Sequence, residues 1–269
     1  MKRFASIVLA CLLSIAGCSA DGPTSQCAGV SGTCRVAEHD ANEPVRRGEL
    51  DGLLKAYLDE HPEVIAESGQ KLRLKQLAER QAKGRQALVE NRPQLFEDAA
   101  DPVLGNPKGD VTVVEFFDNE CPFCKKLSPT IERLISLDPE VRIVLKEYPI
   151  LGPGSESAAR YALAAMRQGK YLTFHNALMA DKTPEHQLTE PRILELAAQS
   201  GMNVDRLKAD AAQQPIINQI EANRALARKL TITGTPGLII GDKIESGALT
   251  LEALQQAVAE VRRAKQVAG

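Results

Sequence analysis

The sequence predicts an α/β protein: a helix-covered sheet with a parallel core, a long all-helical insertion and a helical arm ahead of the sheet. Three observations predict it. VTVVEFF, residues 111–117, is a nearly continuous apolar run rich in β-branched residues, the pattern of a strand buried on both faces. A helical segment over 122–137 separates it from a second such run, VRIVLKEYP at 141–149. The two strands therefore form a β-α-β unit, parallel and with a right-handed crossover. Between about 152 and 230 every signal is helical, a stretch far too long for a simple crossover.

At the front, MKRFASIVLACLLSIAGCSA has a charged start and a short apolar run from Phe4 to Ala16. The run is too short to span a bilayer and has the layout of an export signal. Its end, IAGC at 15–18, resembles the bacterial lipobox, at which lipoproteins are cleaved and lipidated on cysteine. The expectation is a signal over 1–17 and a lipid on Cys18, with plain cleavage near Ala20 as the alternative. Either way the chain works in the bacterial cell envelope, on the periplasmic side, where disulfides form and persist. It is held to a membrane through the lipid or, under the alternative, is soluble there.

Residues 18–44 are polar and rich in Gly and Ser, and read as a tether. Cys27 and Cys34 within it are spaced for a small surface disulfide. A zinc site drawn from these two and Cys121 and Cys124 would need the tether to complete a tetrahedron, so no metal is expected.

The arm follows at 45–100. Leu50, Leu53, Leu54, Tyr57 and Leu58 share one face of a first helix. Pro62 starts a second helix over 62–92, which Pro93 ends. Its apolar residues, Val64, Ile65, Leu72, Leu77 and Leu88, are islands among charges. A helix this polar is an exposed arm or a homo-oligomer interface. DPVLGNPKGD, 101–110, marks the domain boundary, and the sheet-bearing domain runs from 101 to the end. After the insertion come a short strand, a turn, a second strand and a helix from about Thr250.

The content, 43% hydrophobic and 25% charged, supports an ordinary globular core. A net charge of −2 without a basic block argues against nucleic acid as a partner.

The chemistry centres on FFDNECPFCKK, 116–126. Pro122 suits the first helical turn, where no backbone N–H is needed. Cys121 then lies at the helix N-terminus, where free N–H groups and the helix dipole favour a thiolate. Cys124, three residues on, falls on the same face within disulfide reach and is the more buried. Cys121 is therefore the attacking thiol and Cys124 the resolving one. Glu115 sits in the middle of an apolar strand, where an unpaired carboxylate costs several kcal/mol. His175, in TFHNALM, reads as a satisfied core histidine without a role.

A strand ending in Glu-Phe-Phe, Cys-Pro-Phe-Cys opening a helix, KEYPILGPGSESAARYALAA and the distant GTPGLIIG together resemble the DsbA family of extracytoplasmic thiol–disulfide oxidoreductases. The similarity is strongest over 111–165 and 234–241. The arm, with YLDEHPEVIAES, is similar to that of the ScsC and Com1-like branch, in which ScsC-like arms assemble two or three catalytic domains. The chain departs from that branch at Asn119, where tyrosine is common, and at Gly237, where Ala or Ser is usual. The resemblance implies a thioredoxin-like fold and disulfide exchange with exported polypeptides, recycled by a partner protein and needing no cofactor. It implies that Glu115 relays a proton to or from the resolving cysteine, with a buried ion pair to Lys146 as the alternative. It also implies a cis Thr235–Pro236 bond in a loop that packs against the dithiol and meets the incoming peptide. Oxidase, isomerase and reductase directions all stay open. A rival from another class is a non-catalytic lipoprotein, a binding or metal-handling module on the same fold.

Overall fold

The computed structural model describes residues 47–268. The expected signal, the tether, Cys18, Cys27 and Cys34 lie outside the described residues. The chain divides into two units, 1–60 and 61–269. The described part of the first is one helix, α1 (Arg47–Glu60), on which Leu50, Leu53, Leu54 and Tyr57 are all exposed.

The second unit opens with α2 (Pro62–Glu90). The expected helix over 62–92 is corrected at its end: α2 stops at Glu90, and a short helix, α3 (Arg92–Phe96), restarts with Pro93 in its first turn. Proline there loses no helical hydrogen bond, so it opens the new helix rather than ending the old one. Residues ahead of the expected boundary at 101–110 join the core of the sheet. Ala87, Leu88 and Leu95 are buried in the same cluster as Val114, Phe116, Val144 and Ile239 of the sheet. A fully buried leucine contributes about 1.5–3 kcal/mol, enough to hold this end of the arm on the sheet. At the crossing point stands Gly84, where a Cβ would come within 3.0 Å of Ile244 and 3.1 Å of the Leu230 carbonyl.

The sheet has five strands: β1 (Val103–Gly105), β2 (Val111–Phe117), β3 (Val141–Glu147), β4 (Gly237–Ile240) and β5 (Lys243–Ser246), in the order β1-β3-β2-β4-β5. β2 and β3 are parallel, and the other neighbours are antiparallel. β1 lies inside the punctuated stretch that reads from sequence as a boundary alone. The crossover is α4 (Pro122–Leu137), with Pro129 inside it. The insertion holds α5 (Pro153–Ala165), a 3-10 turn, α6 (Tyr171–Ala180), α7 (Glu190–Gln199), α8 (Val204–Ala211) and α9 (Gln214–Lys229). α10 (Leu251–Ala268) closes the chain.

Both faces of the central strands are covered, as their unbroken apolar runs predict. One face packs Val113, Phe117, Ile143 and Leu145 against α4, α10 and the insertion. The other packs Val114, Phe116 and Val144 against the end of α2, α3 and α9. No described helix is long and apolar enough to cross a membrane.

Candidate active site

Cys121 caps α4 in an extended conformation (φ −65°, ψ 120°), and Pro122 is the first helical residue. The helix therefore starts on the sulfur, with its unpaired N–H groups around it. Both cysteines are thiols. Cys121 retains 4% of its surface and Cys124 only 1%, so the first is the accessible member of the pair. The thiol of Cys124 and the N–H groups of Cys124 and Phe123 hydrogen-bond the Cys121 sulfur. The Thr235 side chain adds a further bond, and together these lower its pKa to about 6 against the opposing effect of burial. Burial drives Cys124 far above the ordinary thiol range, helped by the Cys121 hydrogen bond and the nearby Glu115 and Cys121 charges. One sulfur is thus a thiolate at neutral pH and the other a firmly protonated thiol. Phe123, between them, is exposed.

The Thr235–Pro236 peptide is cis. As a thiol, Cys121 donates to the Thr235 carbonyl at 3.2 Å, so residues 114 apart in sequence meet at the sulfur. Gly237 follows as the first residue of β4. A Cβ there would sit 2.6 Å from the Ile232 side chain, so a larger residue would require that side chain to shift.

Glu115 pairs in register with Leu145 on β3 and Leu238 on β4. It therefore faces the same side of the sheet as Leu145 and the dithiol. Burial first, and the Cys121 charge second, raise its pKa to about 8. The alternative ion pair with Lys146 is not formed. Lys146 pairs with Phe116 in register and so points to the opposite face, where it binds Asp101 and the Gln94 carbonyl. Among the described residues Glu115 makes no hydrogen bond or ion pair with another side chain. A buried acid that is neutral near pH 7 and next to a resolving thiol can accept or return one proton.

The loop 118–120 between β2 and α4 carries groups that sequence reasoning missed. Asp118 Oδ2 accepts from the N–H groups of Ile150 (2.7 Å) and Leu151 (3.0 Å). Its Oδ1 accepts from Ser155 Oγ (2.6 Å) and the Glu120 N–H (2.8 Å). Glu120 Oε1 accepts from the Leu188 N–H at 2.9 Å. Asn119 Nδ2 donates to Glu147 Oε2 at 2.7 Å. Glu147 could have been found as Glu115 was, by a charge inside an apolar strand. Asp118 and Glu120 carried no such signal, since a loop acid is usually solvated.

His175 is in the core as expected, edge-on to Phe117 with ring centroids 5.2 Å apart. It is not satisfied: Nδ1 is buried without a hydrogen-bond partner, and burial lowers the ring's pKa to about 4. A groove of about 580 Å³ between β4–β5 and α10 shares no lining residue with the dithiol. Among the described residues no group of three or more His, Cys, Asp or Glu side chains is arranged to hold a metal.

The chain is similar to known proteins. The DSBA-like thioredoxin domain family matches residues 112–259. Disulfide bond formation protein D of Bacillus subtilis is 29% identical over 153 residues, 53% of this chain and 68% of that one. The chain also matches sodium/proton antiporters of two Salinispora species, spanning only 24% of their length. The crystal structure of a thioredoxin-like oxidoreductase from Silicibacter pomeroyi is 43% identical, covers 64% of this chain and 98% of its own, and superposes with a TM-score of 0.62. Proteus mirabilis ScsC in a transitional conformation is 29% identical over 80% of this chain and 94% of its own, with a TM-score of 0.60. The family match takes in the central strands, the dithiol helix and the Thr235–Pro236 turn over more than half of the chain, which is therefore a member of the DSBA-like thioredoxin domain family.

Proposed function

We propose that the protein is a thiol–disulfide oxidoreductase acting on exported polypeptides. The observation that carries this reading is the split between a helix-capping Cys121 sulfur, 3.2 Å from the Thr235 carbonyl that precedes the cis Pro236, and a buried Cys124 thiol. In the oxidising direction a substrate thiolate attacks the Cys121 sulfur of the Cys121–Cys124 disulfide. Cys124 leaves with the electron pair and takes its proton from Glu115. A second substrate thiolate then attacks the substrate sulfur of the mixed disulfide and releases Cys121 as a thiolate. Two electrons pass to the dithiol, and the substrate gains a disulfide. The reverse sequence reduces a substrate, with Glu115 accepting the Cys124 proton. No step needs a cofactor.

The export layout and the IAGC stretch support work in the periplasm, anchored through a lipid on Cys18. Similarity to a periplasmic thioredoxin-like protein from Salmonella enterica and to a thiol-disulfide exchange protein from Wolbachia pipientis supports the same setting and chemistry. The arm supports a second element of the reading, assembly of copies. Leu50, Leu53, Leu54 and Tyr57 on α1, and Ile65, Leu72, Leu74 and Leu77 on α2, are exposed. A helix so exposed on apolar residues finds its partner in a second copy, and closed symmetric assemblies result.

Trapping tests the chemistry: Cys124→Ser accumulates mixed disulfides with client proteins, whereas Cys121→Ser accumulates none. Stoichiometric copper or zinc on the reduced protein, with no reduction of insulin, would instead identify the metal-handling rival. Light scattering on residues 45–269 tests the assembly, which a monomer at tens of micromolar would rule out.

A further inference from the structure

Glu147 is the last residue of β3, fully buried, and takes no part in the exchange steps. No lysine, arginine or histidine pairs with it among the described ion pairs. In register it stands opposite Phe117, the last residue of β2, so its side chain shares the face of Glu115 and the dithiol. Its contacts run outward in three directions. Asn119 Nδ2 donates to Oε2 at 2.7 Å, and the Tyr171 hydroxyl donates to Oε1 at 3.1 Å. Asn223 Nδ2 donates to its backbone carbonyl at 3.1 Å.

Each contact holds a different element. Asn119 belongs to loop 118–120, which leads directly into Cys121, with the Cys121 N–H donating to the Asp118 carbonyl at 3.1 Å. Tyr171 opens α6 of the insertion and stacks on His175, the ring centroids 5.7 Å apart. Asn223 lies on α9. A buried carboxyl without a cation is costly, and an apolar side chain would fill the same space without that cost. What an apolar side chain cannot do is hold Asn119.

We propose that Glu147 is a positioning residue for the dithiol, fixing the loop that carries Cys121 through Asn119 and locking that loop to the insertion through Tyr171. The proposal rests on the exchange reading above. Burial lifts the Glu147 carboxyl well above the usual carboxylate range, more than the Tyr171 and Asn119 hydrogen bonds lower it, and the Asp118 and Glu115 charges push the same way. A neutral carboxyl needs an acceptor for its proton. Asn119 Oδ1, buried and without a partner, supplies one if the amide turns by half a revolution. A glutamine at 147 would present the same donor to Asn119 and the same acceptor to Tyr171.

The experiment follows the Cys121 thiolate absorbance against pH, together with the glutathione-equilibrium potential, in the wild type, Glu147→Gln, Glu147→Ala and Asn119→Ala. The expected result is a rise of about one pH unit in the Cys121 midpoint for both alanine variants, a tenfold loss of thiolate at a given acidic pH. Glu147→Gln keeps the wild-type midpoint. If Glu147→Ala does not fold, Asn119→Ala carries the test, since it breaks the link from the loop side. Alanine variants that melt earlier but titrate as the wild type overturn the proposal, because the role is then structural only. A Glu147→Gln shift as large as that of Glu147→Ala also overturns it, because charge rather than geometry is then acting. A wild type unable to exchange with any peptide disulfide sinks the functional reading instead, and the thiolate titration still decides the positioning role.

Discussion

Glu115 and Lys146 lie on neighbouring strands, both within runs that the sequence marks as apolar, and both are buried. Their surroundings differ completely. Lys146 binds the Asp101 carboxylate and the Gln94 carbonyl, and Asp101 takes a further bond from Gln219 at 2.8 Å. Glu115 has no cation and no hydrogen-bonding partner among the described residues, and its neighbours are two cysteines. Burial raises Asp101 to about 6, while the Lys146 charge and hydrogen bond oppose a further rise. Nothing opposes the rise of Glu115. The lysine face is a closed structural pair that ties the start of β1 and α3 to the sheet. The glutamate face is an open acid whose cost is offset elsewhere, which is what a proton relay requires.

The comparison predicts that damage on the two faces differs in kind. The largest effect belongs to the sulfur itself. Cys121→Ser abolishes exchange, while Cys124→Ser retains attack but cannot resolve; alkylation of the reduced wild type modifies Cys121 first. Preferential labelling of Cys124 would reverse the assigned roles.

Next comes the lysine face. Lys146→Met leaves Asp101 buried without its cation and costs about 3–5 kcal/mol in urea unfolding, with the Cys121 thiolate unchanged. Adding Asp101→Leu recovers most of that loss, because an apolar pair of similar size replaces both buried charges. If the double variant stays as unstable as the single one, the pair is not an isolated structural unit.

Glu115→Gln has the opposite profile. It slows the steps that move a proton at Cys124 by roughly 100-fold, the lower range for a positioned acid, and it does not destabilise the protein at neutral pH. Its stability effect depends on pH. With a folded pKa of about 8 against the 4.5 of an ordinary glutamate, the folded chain binds more protons than the unfolded one between those values. The neutral acid's contribution is fully present below about 4.5, and stability falls as pH rises through about 8. Unfolding free energies measured from pH 5 to 9 show a falling slope in the wild type, to which the raised Asp101 and Glu147 also contribute, and Glu115→Gln makes it shallower. An unchanged slope would mean that another group carries the proton.

The smallest expected change concerns strength as an oxidant. A Cys121 pKa of about 6 lies between the ~3.5 and ~7 known for Cys-x-x-Cys motifs in thiol–disulfide oxidoreductases. The couple should accordingly be less oxidising than about −120 mV. Phe123 offers the thiolate no side-chain hydrogen bond. Phe123→His should therefore lower the midpoint by up to about one unit and raise the potential. A wild-type potential at or above that value would remove the distinction.

Local pattern by itself determined β2, α4, the helical insertion and the final helix, because strand and helix periods are properties of a few consecutive residues. It also determined the dithiol, since a proline after the first cysteine sets both the helix start and the place of the sulfur. Tertiary structure decided the rest. β1 is three residues among Gly and Pro, and it is a strand only because β3 pairs with it. α2 reads as a free arm from its polarity, yet its last turn and α3 close one face of the sheet through Ala87, Leu88 and Leu95. That Lys146 is not the partner of Glu115 could not be read from the chain. Which face a strand residue occupies depends on register, and a shift of one residue would have joined Glu115 to the side that holds Lys146. Asn119 and Glu147 are 28 positions apart, and Cys121 and Thr235 are 114 apart. No local pattern encodes such a meeting, because it exists only after two elements have been brought to the same end of the sheet.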